Sequence, residues 1–173
     1  MRRILLLRAV NVGGANKLPM AWLKAALTEL GCTEVTTLLQ SGNAVVSGGD
    51  VAGALEKHIT TELGLTVRVL TRTRDELADV IARCPWPDRV ADPKSVHVDF
   101  LSAAPTAAKV ATLDPAPLAP DEFVVDGAEA FLWYANGSGR SKLTNDLLER
   151  RLGVTGTARN WNTVTKLLTL ADA

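Results

Sequence analysis

Three polar runs carry the residue types that could hold an anion. Asn11-Val12-Gly13-Gly14-Ala15-Asn16-Lys17 follows an apolar stretch and precedes a helical pattern, so it reads as a strand–loop–helix connection with two glycines and a lysine. Asn136-Gly137-Ser138-Gly139-Arg140-Ser141-Lys142-Leu143-Thr144 has the same make-up. Thr157-Ala158-Arg159-Asn160-Trp161-Asn162-Thr163 is the third, and Ser41-Gly42-Asn43 adds a tight turn with two more polar side chains. Backbone N–H groups in such loops, joined by Lys or Arg, suit a phosphate. The spacing is neither that of a P-loop nor that of a dinucleotide fingerprint, and the alternative is that the two glycines of the first loop only make a turn.

Charge distribution sharpens the expectation. The net formal charge is zero, yet residues 1–24 hold Arg2, Arg3, Arg8, Lys17 and Lys24 and no acid, a local +5. Residues 25–83 and 84–135 carry −3 and −5, and residues 136–168 return to +4. Lys17 precedes the first expected helix, Arg140 and Lys142 flank the start of the penultimate one, and Arg159 precedes the last. A helix dipole disfavours cations at its N-terminus by a few tenths of a kcal/mol. An external anion resolves that conflict, and pairing with Asp or Glu from the acidic middle is the rival resolution. The expected ligand-binding set is Asn11, Gly13, Gly14, Asn16, Lys17, Ser41, Asn43, Arg140, Ser141, Lys142, Arg159 and Asn160, gathered in a cleft between two subdomains.

Catalytic apparatus is not visible, so neither an enzymatic role nor a catalytic residue is assigned. His58 sits beside Lys57 on an expected helix and reads as solvent-facing. His97 and Asp99 share one face of a strand, which is a weak acid–base signal. Cys84 is hemmed by Pro85 with no histidine nearby in sequence, and the metal-ligating residues look too few and too scattered for a site. No metal and no cofactor are expected. Two cysteines without framework spacing, an apolar start that ends at Arg8, and the absence of a membrane-length apolar run point to a cytoplasmic protein without membrane association.

The elements that must position these runs follow in order. Strands are expected at Ile4–Val10, Glu34–Gln40, Ala44–Ser47 and Thr66–Leu70. Helices are expected from Pro19 to a Gly31 cap, and from an Asp50 cap to Gly64. This is a ferredoxin-like βαββαβ order. A helix over Arg74–Arg83 is broken by Cys84-Pro85-Trp86-Pro87. Then come a strand at Val96–Leu101, a short helix at Thr106–Leu113, a stiff unstructured connector at Asp114–Pro120, and a hairpin of Phe123–Asp126 and Ala130–Tyr134 about Gly127-Ala128. Helices at Lys142–Leu152, with Ser141 as N-cap, and Asn162–Leu170 close the chain, with Asn160 capping the latter and Trp161 packing inward. The fold class is therefore α+β with two subdomains, 1–83 and 84–173, the second a smaller α+β unit. No internal sequence repeat is evident.

The runs Arg8–Met20, Gln40–Asn43, Asp92-Pro93-Lys94, Asn136 with Gly139–Thr144, and Arg159–Thr165 together resemble the bacterial domain-of-unknown-function 1697 family, nearly end to end. The resemblance implies two α+β subdomains, the first ferredoxin-like, and brings no established activity or catalytic residue. Ala9 and Ala15 depart from it, standing where glycine and a larger, often basic, residue are expected. Three functions compete. A phosphorylated small molecule, such as a nucleotide, ranks first as ligand. A nucleic-acid-binding module ranks second, because the strands at 36–40 and 44–47 hold no aromatic residue to stack a base. A non-enzymatic interaction or dimerisation domain is third, and the oligomeric state is left open.

Overall fold

The computed structural model describes residues 1–173. The protein is α+β, built on two four-stranded antiparallel sheets. It divides into two units, Met1–Asp79 with Lys166–Ala173, and Val80–Thr165.

In the first unit, β1 (Arg2–Leu7), α1 (Met20–Glu29), β2 (Thr33–Leu38), β3 (Asn43–Ser47), α2 (Ala52–Leu63) and β4 (Val69–Thr73) follow one another, and α3 (Arg74–Ala82) begins directly after β4. The sheet order is β2-β3-β1-β4, the ferredoxin-like arrangement. The run Ile4-Leu5-Leu6-Leu7 explains why β1 is central, for all four are at most 1% exposed, so the strand is buried on both faces. Leu5 and Leu7 join Leu23, Leu27, Leu55 and Ile59 in one core cluster. Burying each such side chain contributes about 1.5–3 kcal/mol. Pro19 stands at the N-cap of α1, one residue before the expected place, and Gly31 (φ +89°) and Gly64 (φ +67°) end α1 and α2 in the left-handed conformation. Asp50 accepts from Ala52 N at 3.0 Å, although the cap residue proper is Val51.

β4 lies three residues later than Thr66–Leu70. Its register against β1 pairs Leu7 with Val69 and Arg3 with Thr73. Val67 is buried in the core cluster but lies outside the strand.

The second unit runs β5 (Val96–Leu101), α4 (Ala107–Val110), β6 (Glu122–Asp126), β7 (Glu129–Trp133), α5 (Asn145–Leu152) and β8 (Gly156–Asn160), with α6 (Trp161–Asp172) starting directly after β8. Its sheet order, β6-β7-β5-β8, repeats the topology of the first unit strand for strand, and each sheet is followed at once by a helix. The architecture is thus duplicated where no sequence repeat is evident. The first crossover differs most, since α4 has 4 residues where α1 has 10.

Local expectations change here, the helix expected at Thr106–Leu113 shrinking to Ala107–Val110. The Asp114–Pro120 connector contains a 3-10 turn at Ala116–Leu118, and Leu118 enters the core with Leu113, Leu132, Leu143 and Leu148. α5 begins at Asn145 rather than Lys142, because Thr144, not Ser141, supplies the cap by accepting from Leu147 N. β8 occupies what reads in sequence as a polar loop. From Lys166 onward α6 belongs to the first unit, where Arg2 Nη2 donates to Leu170 O at 2.8 Å and Arg74 Nε pairs with Asp172 at 2.6 Å. No helix is long and apolar enough to cross a membrane.

Candidate functional site

In the first unit, the loop after β1 is held by its own polar side chains. Asn11 N donates to Asn16 O at 3.0 Å and Ala15 N to Val12 O at 2.9 Å, so Gly13 (φ +57°) and Gly14 (φ +79°) form the centre of a tight turn. Two central residues with positive φ are the reason for glycine here. Asn11 Nδ2 donates to Leu18 O (2.9 Å) and Gln40 O (2.7 Å), while its Oδ1 accepts from Leu18 N (2.8 Å). Asn16 Nδ2 donates to Ala9 O at 3.0 Å. Asn43 is fully buried and donates to Leu38 O and Ser41 Oγ at 2.8 and 3.0 Å. The first loop and the β2–β3 turn therefore converge through Asn11, with Lys17 and Ser41 exposed. The amide groups of Asn11, Asn16 and Asn43 are committed to the scaffold.

The second-unit run behaves differently. Asp121 pins it, accepting from Ala135 N at 2.8 Å and from Ser141 Oγ at 2.5 Å, and Ser141 Oγ accepts from Leu143 N at 3.0 Å. Tyr134 Oη donates to Leu143 O at 2.8 Å, and burial, with the charges of Asp99 and Asp121, raises the phenol above its ordinary range. Arg140 and Lys142 lie in this loop upstream of α5, whose first turn carries Asp146, the sign its dipole favours. The expected conflict between cation and dipole is thus absent at α5.

Two concavities meet at this loop. One of about 310 Å³ is lined by Pro117–Asp121, Asn136, Gly137, Arg140, Ser141 and Lys142. The other, of about 230 Å³, is lined mainly by Leu113, Pro117, Leu118 and Leu147, with Asp114, Lys142 and Arg151. Pro117, Leu118 and Lys142 belong to both. Elsewhere arginines are matched to acids: Arg68 with Glu56, Arg74 with Asp172, Arg83 with Glu129, and Arg89 with Glu122. Arg140, Lys142 and Arg151 have no such partner.

Arg159 and Asn160 lie on β8. Asn160 Oδ1 accepts from Thr163 N at 3.0 Å and caps the turn that opens α6, and Trp161 is 8% exposed, packed inward. Arg159 is 7% exposed, and its guanidinium donates to Thr157 Oγ1 (2.6 Å) and Ala158 O (2.9 Å). Burial pulls its pKa down to about 10, against the opposing pull of Asp99, so it stays charged at neutral pH. It is a buried structural cation, unlike exposed Arg140 and Lys142. His97 and Asp99 share the expected face of β5, and the His97 ring stands perpendicular to Tyr134 at 5.0 Å. Desolvation pushes His97 down to about 4 and keeps it neutral. Cys32 is buried, with its thiol pKa raised by that burial, and neither it nor Cys84 forms a disulfide.

One constellation is not expected from the sequence. His58 is not solvent-facing: its side chain is 22% exposed, with Nε2 3.3 Å from Glu29 Oε2 and 3.1 Å from Glu62 Oε1. The His58–Glu62 spacing of one helical turn is a legible signal. Glu29, on α1, is brought alongside only by the fold. The metal-ligating side chains are therefore less scattered than their sequence positions suggest.

A family model described as "Protein of unknown function (DUF1697)" matches residues 1–131. Among solved structures, the chain is similar to a conserved bacterial protein from Streptococcus pneumoniae at 22% identity, covering 98% of each chain with a TM-score of 0.66. That likeness concerns the fold alone. No curated protein matches.

Proposed function

From the premise that the chain belongs to the DUF1697 family, whose description assigns no function, we propose that its second unit binds a small phosphorylated organic molecule across the two adjoining concavities. The observation that carries the reading is Lys142, an unpaired cation lining both hollows. Leu113, Pro117, Leu118 and Leu147 offer an apolar wall to the organic part, and Arg140, Lys142 and Arg151 offer the charge that a phosphate requires. Ser141 is already engaged by Asp121, so it orients the loop rather than meeting the ligand. A nucleoside monophosphate has the right division into a flat apolar part and a dianion.

The test is a thermal-shift and calorimetric screen with inorganic phosphate, sugar phosphates and nucleoside monophosphates. A ligand at about 100 times its Kd adds about 2.7 kcal/mol to stability. The expected result is a shift with an organic phosphate that inorganic phosphate does not match and that R140A/K142A abolishes. No shift with any phosphate overturns the reading.

A further inference from the structure

Glu29 is the last residue of α1, and His58 and Glu62 stand one turn apart on α2, so three donor side chains from two helices of the first unit face one another. One ligand atom from each lies within 4.8 Å of the other two. We propose that these residues bind one divalent transition-metal ion of borderline softness, with Zn2+ as the reference case.

The distances match those between donors that share one ion. Two donors each about 2.1 Å from a metal at the tetrahedral angle stand about 3.4 Å apart, and about 3.0 Å apart at a right angle. His58 Nε2 is 3.3 Å from Glu29 Oε2 and 3.1 Å from Glu62 Oε1. A charged N–H···O hydrogen bond closes to about 2.7–2.9 Å instead. His58 Nε2 is moreover shielded from solvent and makes no hydrogen bond to either carboxylate or to any other group. A buried ring nitrogen between two carboxylate oxygens is the donor set a cation would draw together.

The surroundings hold this geometry. Trp22 Nε1 donates to Glu62 Oε2 at 3.0 Å, which leaves Oε1 directed at His58. The Trp22 and His58 rings lie 5.7 Å apart and tilted by 30°, and Trp22 packs against the core of this unit. A hydrogen-bonded ligating carboxylate beside a fixed imidazole is the outer-shell arrangement that tunes metal sites. One imidazole nitrogen with two carboxylates suits Zn2+, Co2+ or Ni2+, whereas Mg2+ and Ca2+ prefer oxygen-only shells of six or more donors. Three protein donors leave at least one coordination position for water, and Glu29 and Glu62 have side chains 64% and 44% exposed, so the ion would be reached from solvent.

The experiment uses the full, untagged chain, since a polyhistidine tag would mask the site. Zn2+ is titrated by calorimetry, and Co2+ by its visible absorption. One ion per chain is expected, with affinity reduced at least tenfold in His58→Ala and in Glu29→Gln. Trp22→Phe, which keeps a ring but removes the donor, should weaken binding by about tenfold. Cys84→Ser should leave it unchanged, which separates the site from adventitious thiol binding. Should H58A fail to fold by circular dichroism, E29Q, altering a mostly exposed side chain, decides. No stoichiometric binding tighter than about 1 mM, or equal binding by the wild type and the folded variants H58A or E29Q, overturns the proposal.

Discussion

Asn11 and Gln40, 29 residues apart, are joined by a 2.7 Å hydrogen bond from the Asn11 amide to the Gln40 carbonyl. The same side chain brackets Leu18 with two further bonds of 2.8 and 2.9 Å, and Asn11 itself sits at φ +54°, a conformation asparagine tolerates. One residue thus ties the loop after β1 to the β2–β3 turn and to the approach to α1.

Asn11→Ala should therefore lower stability by about 3 kcal/mol from the lost bonds, at about 1 kcal/mol each, and by about 1 kcal/mol more from the left-handed backbone. Asn11→Gly, which relieves only the backbone, should fall less. Urea midpoints of both variants check the ordering; an N11A midpoint equal to wild type would mean the clamp contributes nothing. Phosphate binding in the second unit should be unaffected.

Ala9 holds φ +56°, and the family resemblance leads one to expect glycine there. Ala9→Gly should raise stability by about 1 kcal/mol, since an L-residue in the left-handed region costs more than glycine's extra freedom in the unfolded chain. The same urea titration reads it.

Gly42 (φ +87°) is needed twice over. A Cβ there would stand 2.5 Å from Val10 Cγ2 and 2.9 Å from Leu7 Cβ, both side chains buried. Gly42→Ala should cost about 3 kcal/mol or more, from overpacking added to backbone strain. Loss of soluble protein or a Tm fall of several degrees is the expected sign.

His97 gives a pH signature of defined sign. Its pKa is pushed down to about 4 from 6.5, so the unfolded chain takes up a proton between those values and the folded chain does not. This group adds no pH dependence above about pH 6.5. As pH falls through the window, stability drops by about 3 kcal/mol, then levels off below about 4. Urea unfolding of wild type and His97→Gln at pH 7 and 4.5 isolates the difference, which should shrink in the variant; parallel losses would refute it.

If both hollows of the second unit serve one ligand, Lys142→Ala should weaken phosphate binding by tenfold or more, the worth of one charge-assisted hydrogen bond. Arg150→Ala, which removes a charge outside both hollows, should change it little. Calorimetry at two salt concentrations should also show weaker binding at higher salt.

The elements bounded by strong local signals are legible in the chain alone. Val96–Leu101 emerges as a strand at its observed limits, Gly31 and Gly64 mark the ends of their helices, Gly127-Ala128 turns the second hairpin, and the βαββαβ order of the first unit follows from apolar periodicity. What pairing decides is not legible. Gly156-Thr157-Ala158-Arg159-Asn160 has little strand propensity and becomes β8 because β5 supplies its ladder, and β4 is shifted by its register against β1. The polar runs divide for the same reason. Composition marks Asn11, Asn16, Asn43, Arg140, Lys142 and Arg159 alike, yet only the tertiary structure spends the asparagines on backbone carbonyls, buries Arg159, and leaves Arg140 and Lys142 facing solvent. The meeting of Glu29 with His58 and Glu62 is likewise a product of packing α1 beside α2, because contacts between helices depend on three-dimensional proximity that residue spacing within one helix does not encode.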